Sequence, residues 1–273
     1  MITTPANKSE LFKFAMFPSY EDSLDYLANQ LAQKETWSFS NPKQEIEHGN
    51  YIARLSFPML RSYLENTFRK LKGENKIVRT DDLLHACFNT GLVTQHHEDI
   101  YAFFAKNRYQ HQESEYYLIN FIKKSDHEFL RNFSMNPPKP ADYFHRPEDL
   151  IFNPNMEIIP DVDHIISGNR ARFPESIAIK DESEIRNILI GAIDESTRRV
   201  RVNYKMAMPQ YFRGGIQLLI PLYLTTKDRP DLALVLDKIN IRAYSARTCL
   251  TMGMAYNNAR LIAKPHDTQW LSP

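Results

Sequence analysis

Only two cysteines, Cys87 and Cys249, occur in the 273 residues, far apart in sequence. No CxxC pair and no HxxxH spacing accompanies them, so no zinc motif is present. Each lies in an apolar run and is expected as a buried free thiol, packed like a small hydrophobe. A charge excess of one sign is missing too: 34 Lys and Arg stand against 33 Asp and Glu, for a net charge of +1. That balance excludes a globally basic nucleic-acid-binding surface and leaves any anion site to a local patch. No apolar run approaches the roughly 18 residues of a membrane span, and MITTPANKSELFKFAMF lacks the charged-then-apolar order of a signal peptide. A cytoplasmic protein with no membrane partner is the expectation. Walker GxxxxGK[ST], Rossmann-type glycine, GxSxG and KxDG-like motifs are all absent.

What is present is enough apolar sequence, 42%, for a substantial core. Helical spacing of Leu24, Leu27, Ala28 and Leu31 predicts a helix over 19–35 with Ser19 as its cap. A second helix is read from Ile52 through Leu71, interrupted near Pro58 and stopped at Gly73. Three short aromatic and apolar runs follow, at 83–92, 100–104 and 116–122, and read as strands. Seven of the 16 prolines fall within 134–177, which predicts a wrapping segment with short helices at best. Residues 183–204 form the clearest helix, with Ile185, Leu189, Ala192, Ile193, Ser196 and Val200 on its buried face. Three strands, starting IQLLIPLYL and LALVL and ending IRAYSARTCLT, then make an antiparallel meander, closed by a helix over 252–264.

The fold class is therefore α+β, with a helical N-terminal part and helices packed on an antiparallel sheet. No Gly/Ser tether and no internal repeat is visible. One domain is expected over 1–273: mainly helical at 1–80, strand-rich at 81–125, the proline-rich wrapper at 134–177, and helix, meander and closing helix at 183–265.

Local charge supplies the first candidate site. Between Thr197 and Gly214 stand five cations, Arg198, Arg199, Arg201, Lys205 and Arg213, and no carboxylate. Phosphate recognition needs cations and neutral donors on a bend, which Lys205, Arg213, Asn203 and Gln210 offer by type, with Tyr204 and Tyr211 able to stack on a base. Cations also favour a helix C-terminus, so part of the cluster has an ordinary explanation. A second candidate is Tyr256-Asn257-Asn258-Ala259-Arg260. Two asparagines are poor helix formers, and Tyr256 and Arg260 fall at i and i+4. The third is Asn89-Thr90 with His96 and His97, where an adjacent carboxylate would tune an imidazole for proton transfer. His164, between Asp161 and Asp163, is a further acid/base candidate. Metal ligation by His96, His97 and Asp99 has no recognised spacing, so no metal residues are assigned; magnesium is the cofactor left open.

At FNTGLVTQHHEDIYAFF (88–104), NYKMAMPQYF (203–212), IQLLIPLYL (216–224), LALVL (232–236) and LTMGMAYNNARLIAKP (250–265), the chain resembles a bacterial and fungal domain-of-unknown-function family. Members of that family stand beside cold-shock and LOTUS-type (OST-HTH) RNA-binding modules. The resemblance covers most of the chain, including WSF at 37–39. It implies association with RNA or nucleotides and places Asn89, Thr90, Asn203, Lys205, Gln210, Tyr256, Asn258 and Arg260 within the shared motifs. No cold-shock or LOTUS segment is recognised in this chain, so RNA targeting is expected from the domain itself or from a separate RNA-binding protein.

Three functional readings are compatible with these residues. In the first, the protein is an enzyme of RNA processing that acts at a phosphoester of an RNA end or nucleotide. Lys205, Arg213 and Arg260 would neutralise phosphate, Asn89, Gln210 and Asn258 would position it, and His96 or His97 would move a proton. In the second it binds RNA or a nucleotide without turnover. In the third it is a structural domain, and then Asn203 and Asn258 should be buried and hydrogen-bonded.

Overall fold

The computed structural model describes residues 9–37, 57–108, 114–265 and 270–271. They fall into two compact units, Met1–Asp142 and Tyr143–Pro273, and the α+β class holds, with a five-stranded sheet in each. The division falls in the proline-rich segment. A domain is a unit of cooperative unfolding. The single-domain expectation requires one calorimetric transition; two transitions would replace it with two domains.

In the first unit the order is α1 (Glu10–Phe14), β1 (Ala15–Met16), α2 (Tyr20–Asp25) running into a π-helical stretch (Tyr26–Leu31), and α3 (Pro58–Gly73). A meander of β2 (Val78–Arg79), β3 (His85–Val93), β4 (Asp99–Lys106) and β5 (Tyr116–Lys123) follows, and α4 (His127–Phe133) closes it. Strand β1 pairs parallel with β5, which gives the sheet order β1-β5-β4-β3-β2. Alternate side chains point to opposite faces. Phe88 meets Phe68 of α3 on one face, while Cys87, Tyr101, Phe103 and Ile122 pack with Phe129 and Phe133 of α4 on the other.

The second unit follows the same plan. Strand β6 (Glu157–Pro160) leads through α5 (Val162–Asn169), α6 (Glu175–Ala178) and α7 (Glu182–Val202) to a meander of β7 (Met208–Phe212), β8 (Gly215–Leu222), β9 (Leu232–Lys238) and β10 (Ala243–Thr251), then α8 (Met252–Ala259). Again the first strand is parallel to the last, and the order is β6-β10-β9-β8-β7. A repeat invisible in sequence is thus present in topology. Helix α7 buries the six residues expected of it, against Leu218, Ile220, Leu222, Leu232, Leu234 and Leu236.

Several boundaries differ from expectation, for identifiable reasons. The N-cap of α7 is Asp181, which accepts from the Glu184 amide at 2.9 Å, while Ser183 bonds to Asp181. Ser19 caps α2 through its carbonyl, with no side-chain cap. The polar stretch read as a bend at 208–212 is a strand; Pro209 is tolerated because β7 is an edge. Four strands, not three, form the C-terminal meander, and β6 adds a fifth from within the expected wrapper. Helix α8 ends at Ala259, short of 264. Residues 51–56 of the expected second helix, and 38–39 of WSF, lie outside the described residues. Both cysteines are buried and unpaired; burial raises both thiols, that of Cys249 to about 12. Among the described residues no helix is long and apolar enough to cross a membrane.

Candidate functional site

In the first unit, Asn89 and Thr90 are buried. They form a β-bulge, where the β3–β4 register shifts between Asn89 and Val93. Asn89 Oδ1 accepts from the Gly91 amide at 2.8 Å, and Thr90 Oγ1 donates to the Ile100 carbonyl at 2.7 Å. The Tyr63 hydroxyl donates to the Thr90 carbonyl at 2.9 Å. Burial, and then the Asp99 carboxylate, push the neighbouring Tyr101 phenol above its ordinary value. These groups spend their hydrogen bonds on holding the bulge, a structural role.

His96 and His97 sit exposed at the tip of the β3–β4 hairpin. The turn is organised by Thr94, whose Oγ1 accepts from the amides of His96 and Glu98. Glu98 itself accepts from the Ser125 amide at 2.5 Å. Among the described residues neither imidazole is hydrogen-bonded to a carboxylate, the contact that general acid/base use would need. His164 lies in the first turn of α5, where Asp161 serves as its N-cap and not as a histidine partner.

The remaining candidates belong to the second unit. The five-cation cluster is partly neutralised one turn earlier in α7: Arg198 pairs with Asp194 at 2.9 Å and Arg199 with Glu195 at 2.5 Å, while Arg199 also lies over the Tyr223 ring. Arg201, Lys205 and Arg213 are exposed and make no ion pair among the described residues. Asn203 is exposed; its Oδ1 accepts from the Lys205 amide and starts a 3-10 turn, Tyr204–Met206. Tyr204 is 49% exposed and Phe212 45%. Tyr211 is half-buried, edge-on to Tyr143.

Arg201 stands in the last turn of α7, and the groups from Tyr204 to Arg213 flank or form the edge strand β7. Lys205 precedes it, and Arg213 stands in the turn that follows, with its guanidinium 5.2 Å from the Phe212 ring centroid. At about 3.3 Å per residue, the eight steps between the two cations span at most about 26 Å, the length of several nucleotides. The turn holds Arg213 at φ 47° and Gly214 at φ 92°, the mirror-image geometry that favours Asn-Gly. Arg213→Asn should therefore stabilise the fold by about 0.5–1 kcal/mol, read as a higher urea midpoint, while removing a cation from the strip.

Structure brings two of the sequence-derived residues into direct contact: Asn258 Nδ2 donates to Gln210 Oε1 at 3.0 Å. Gln210 is buried, and its Nε2 donates to Gln217 at 2.7 Å, which in turn donates to Asp237 at 2.9 Å. Gln217 and Asp237 were not singled out by the sequence, although a two-residue turn at 213–214 pairs 212 with 215 and therefore 210 with 217. Tyr256 is buried, and Arg260 caps the end of α8, half-buried. Thus Asn203, Tyr204, Lys205, Gln210, Tyr211, Arg213, Tyr256, Asn258 and Arg260 share one unit; Asn89, Thr90, His96 and His97 belong to the other. Among the described residues no group of three or more His, Cys, Asp or Glu side chains is placed to hold a metal ion.

Compared with family models, residues 28–270 match one described as a domain of unknown function (DUF3825). No curated protein and no solved structure matches the chain.

Proposed function

This chain belongs to the family described as a domain of unknown function, DUF3825, and from that premise we propose, on its own residues, that it binds single-stranded RNA without turning it over. The observation that carries this reading is the run of exposed cations and rings from the end of α7 through β7. Three exposed cations without ion-pair partners among the described residues, Arg201, Lys205 and Arg213, alternate with the exposed rings of Tyr204 and Phe212. Single strands are held by that combination: cations follow the phosphates, and aromatic faces stack on unpaired bases. A duplex hides those faces.

The enzyme reading draws less support. It needs His96 or His97 to move a proton, and among the described residues neither has the carboxylate partner that would tune it. The structural reading required Asn203 and Asn258 to be buried and hydrogen-bonded; both are hydrogen-bonded, but Asn203 is exposed and Asn258 half-buried. Titrating labelled single-stranded and duplex RNA of equal length, with mass spectrometry of the RNA afterwards, separates the three. Tighter binding of the single strand with no product is expected. A cleaved or modified RNA would restore the enzyme reading, and no binding to either would leave the structural one.

A further inference from the structure

The β7–β8–β9 register places Gln210 opposite Gln217 and, one step from the Leu218–Leu236 pair, Gln217 beside Asp237. Hydrogen bonds run along this row in one direction, from Asn258 to Gln210 to Gln217 to Asp237. The direction is forced. A carboxamide has a donor tip and an acceptor tip and could be turned over, whereas a carboxylate can only accept. Asp237 therefore obliges Gln217 to present its NH2 group, which turns the Gln217 carbonyl toward Gln210. Gln210 must then give its own NH2, so its carbonyl faces Asn258, and Asn258 must donate. Reversing any member would set two carbonyls or two NH2 groups against each other, most expensively at Gln210, which is buried.

The end of the row is left with unused capacity. Asn258 is half-buried, and among the described residues its side chain makes one hydrogen bond, from Nδ2 to Gln210. Its carbonyl oxygen keeps both lone pairs, and one N–H remains. It reaches β7 at Gln210, between Lys205 and Arg213.

We propose that Asn258 reads a base in the bound strand, and that Gln217 and Asp237 are positioning residues that set its polarity in favour of amino-bearing bases. This rests on the RNA-binding reading above. A free carbonyl oxygen takes a proton of an exocyclic amine, and the remaining N–H gives to the adjacent ring nitrogen. A carboxamide recognises adenine by this two-point contact, and cytosine offers the same donor and acceptor on its pairing edge. A base fixed by stacking and by its phosphate meets the amide in one orientation. Turning the amide over then exchanges the class of base, from amino to keto.

Oligo(C) and oligo(U) isolate this difference, because their rings are the same size and their exocyclic groups are opposite. Fluorescence anisotropy should show oligo(C) bound roughly fivefold more tightly than oligo(U), the worth of about one net hydrogen bond. Asp237→Asn can donate or accept, so it frees the polarity, and the preference should collapse. Asp237→Glu remains an acceptor and should retain it. Asp237 is exposed, so both variants should fold, and the salt dependence of binding should stay unchanged in each. Equal affinities, a preference for oligo(U), or a preference that survives in Asp237→Asn overturns the proposal while leaving RNA binding in place. Absence of binding to either oligonucleotide overturns both.

Discussion

Replacing Gly91 with alanine should destabilise the protein by about 3 kcal/mol. Two costs add. Gly91 has φ 74°, and a side chain in the left-handed region costs about 1 kcal/mol or more. A Cβ there would also stand 2.7 Å from the Tyr63 hydroxyl oxygen, too close to be accommodated without movement. That hydroxyl donates to the buried Thr90 carbonyl, and driving it away leaves the carbonyl unpaired at a cost of about 1–3 kcal/mol. Tyr63 is itself 3% exposed, so the ring has no easy retreat. Chemical denaturation of Gly91→Ala, Tyr63→Phe and the double variant checks the mechanism. Removing the hydroxyl removes the clash, so the double variant should lose less than the sum of the singles. Strict additivity would mean that Gly91 is needed for its backbone angle alone.

Removing three cations together, as Arg201→Ala, Lys205→Ala and Arg213→Ala, should weaken single-stranded RNA binding by roughly a hundredfold at moderate salt. The argument is counterion release. Each phosphate neutralised by a protein cation frees part of a counterion, so the slope of log affinity against log salt should fall by about 0.7 per contact, or about 2 for the three. Stability should change little, because none of the three holds an ion pair among the described residues. Arg198 and Arg199 provide the internal control. They are paired with Asp194 and Glu195, so alanine at 198 should alter the salt slope far less than alanine at 205. An unchanged slope in the triple variant would remove the strip from the account.

The sequence disclosed those parts whose signals are local and periodic. The buried face of α7 followed from spacing, and β3, β4 and β5 fell within about three residues of the apolar runs. Elements that depend on distant partners were missed. Strand β6 is four residues long, ends at Pro160 and shows alternate burial only weakly, so nothing within it reveals a parallel pairing with β10. The two-residue strands β1 and β2 carry less signal still. The candidate residues divide by the same rule. Asn89 and Thr90 have the polarity expected of a site, but polarity in a strand is also what a bulge requires, and burial alone separates the two. The paired state of Arg198 and Arg199 was accessible from i, i+4 spacing to Asp194 and Glu195. Gln217 appeared as one polar residue in an apolar strand, and only the register joins it to Gln210, Asp237 and Asn258.

The most direct test of RNA binding at the β7 strip is the affinity of the wild-type protein for a single-stranded RNA of about ten nucleotides, measured across a salt series. Saturable binding with a slope of about −2 or steeper, falling toward zero in the triple alanine variant, is the result predicted. Binding that is independent of salt, or none at about 50 mM salt where phosphate contacts are strongest, would contradict it.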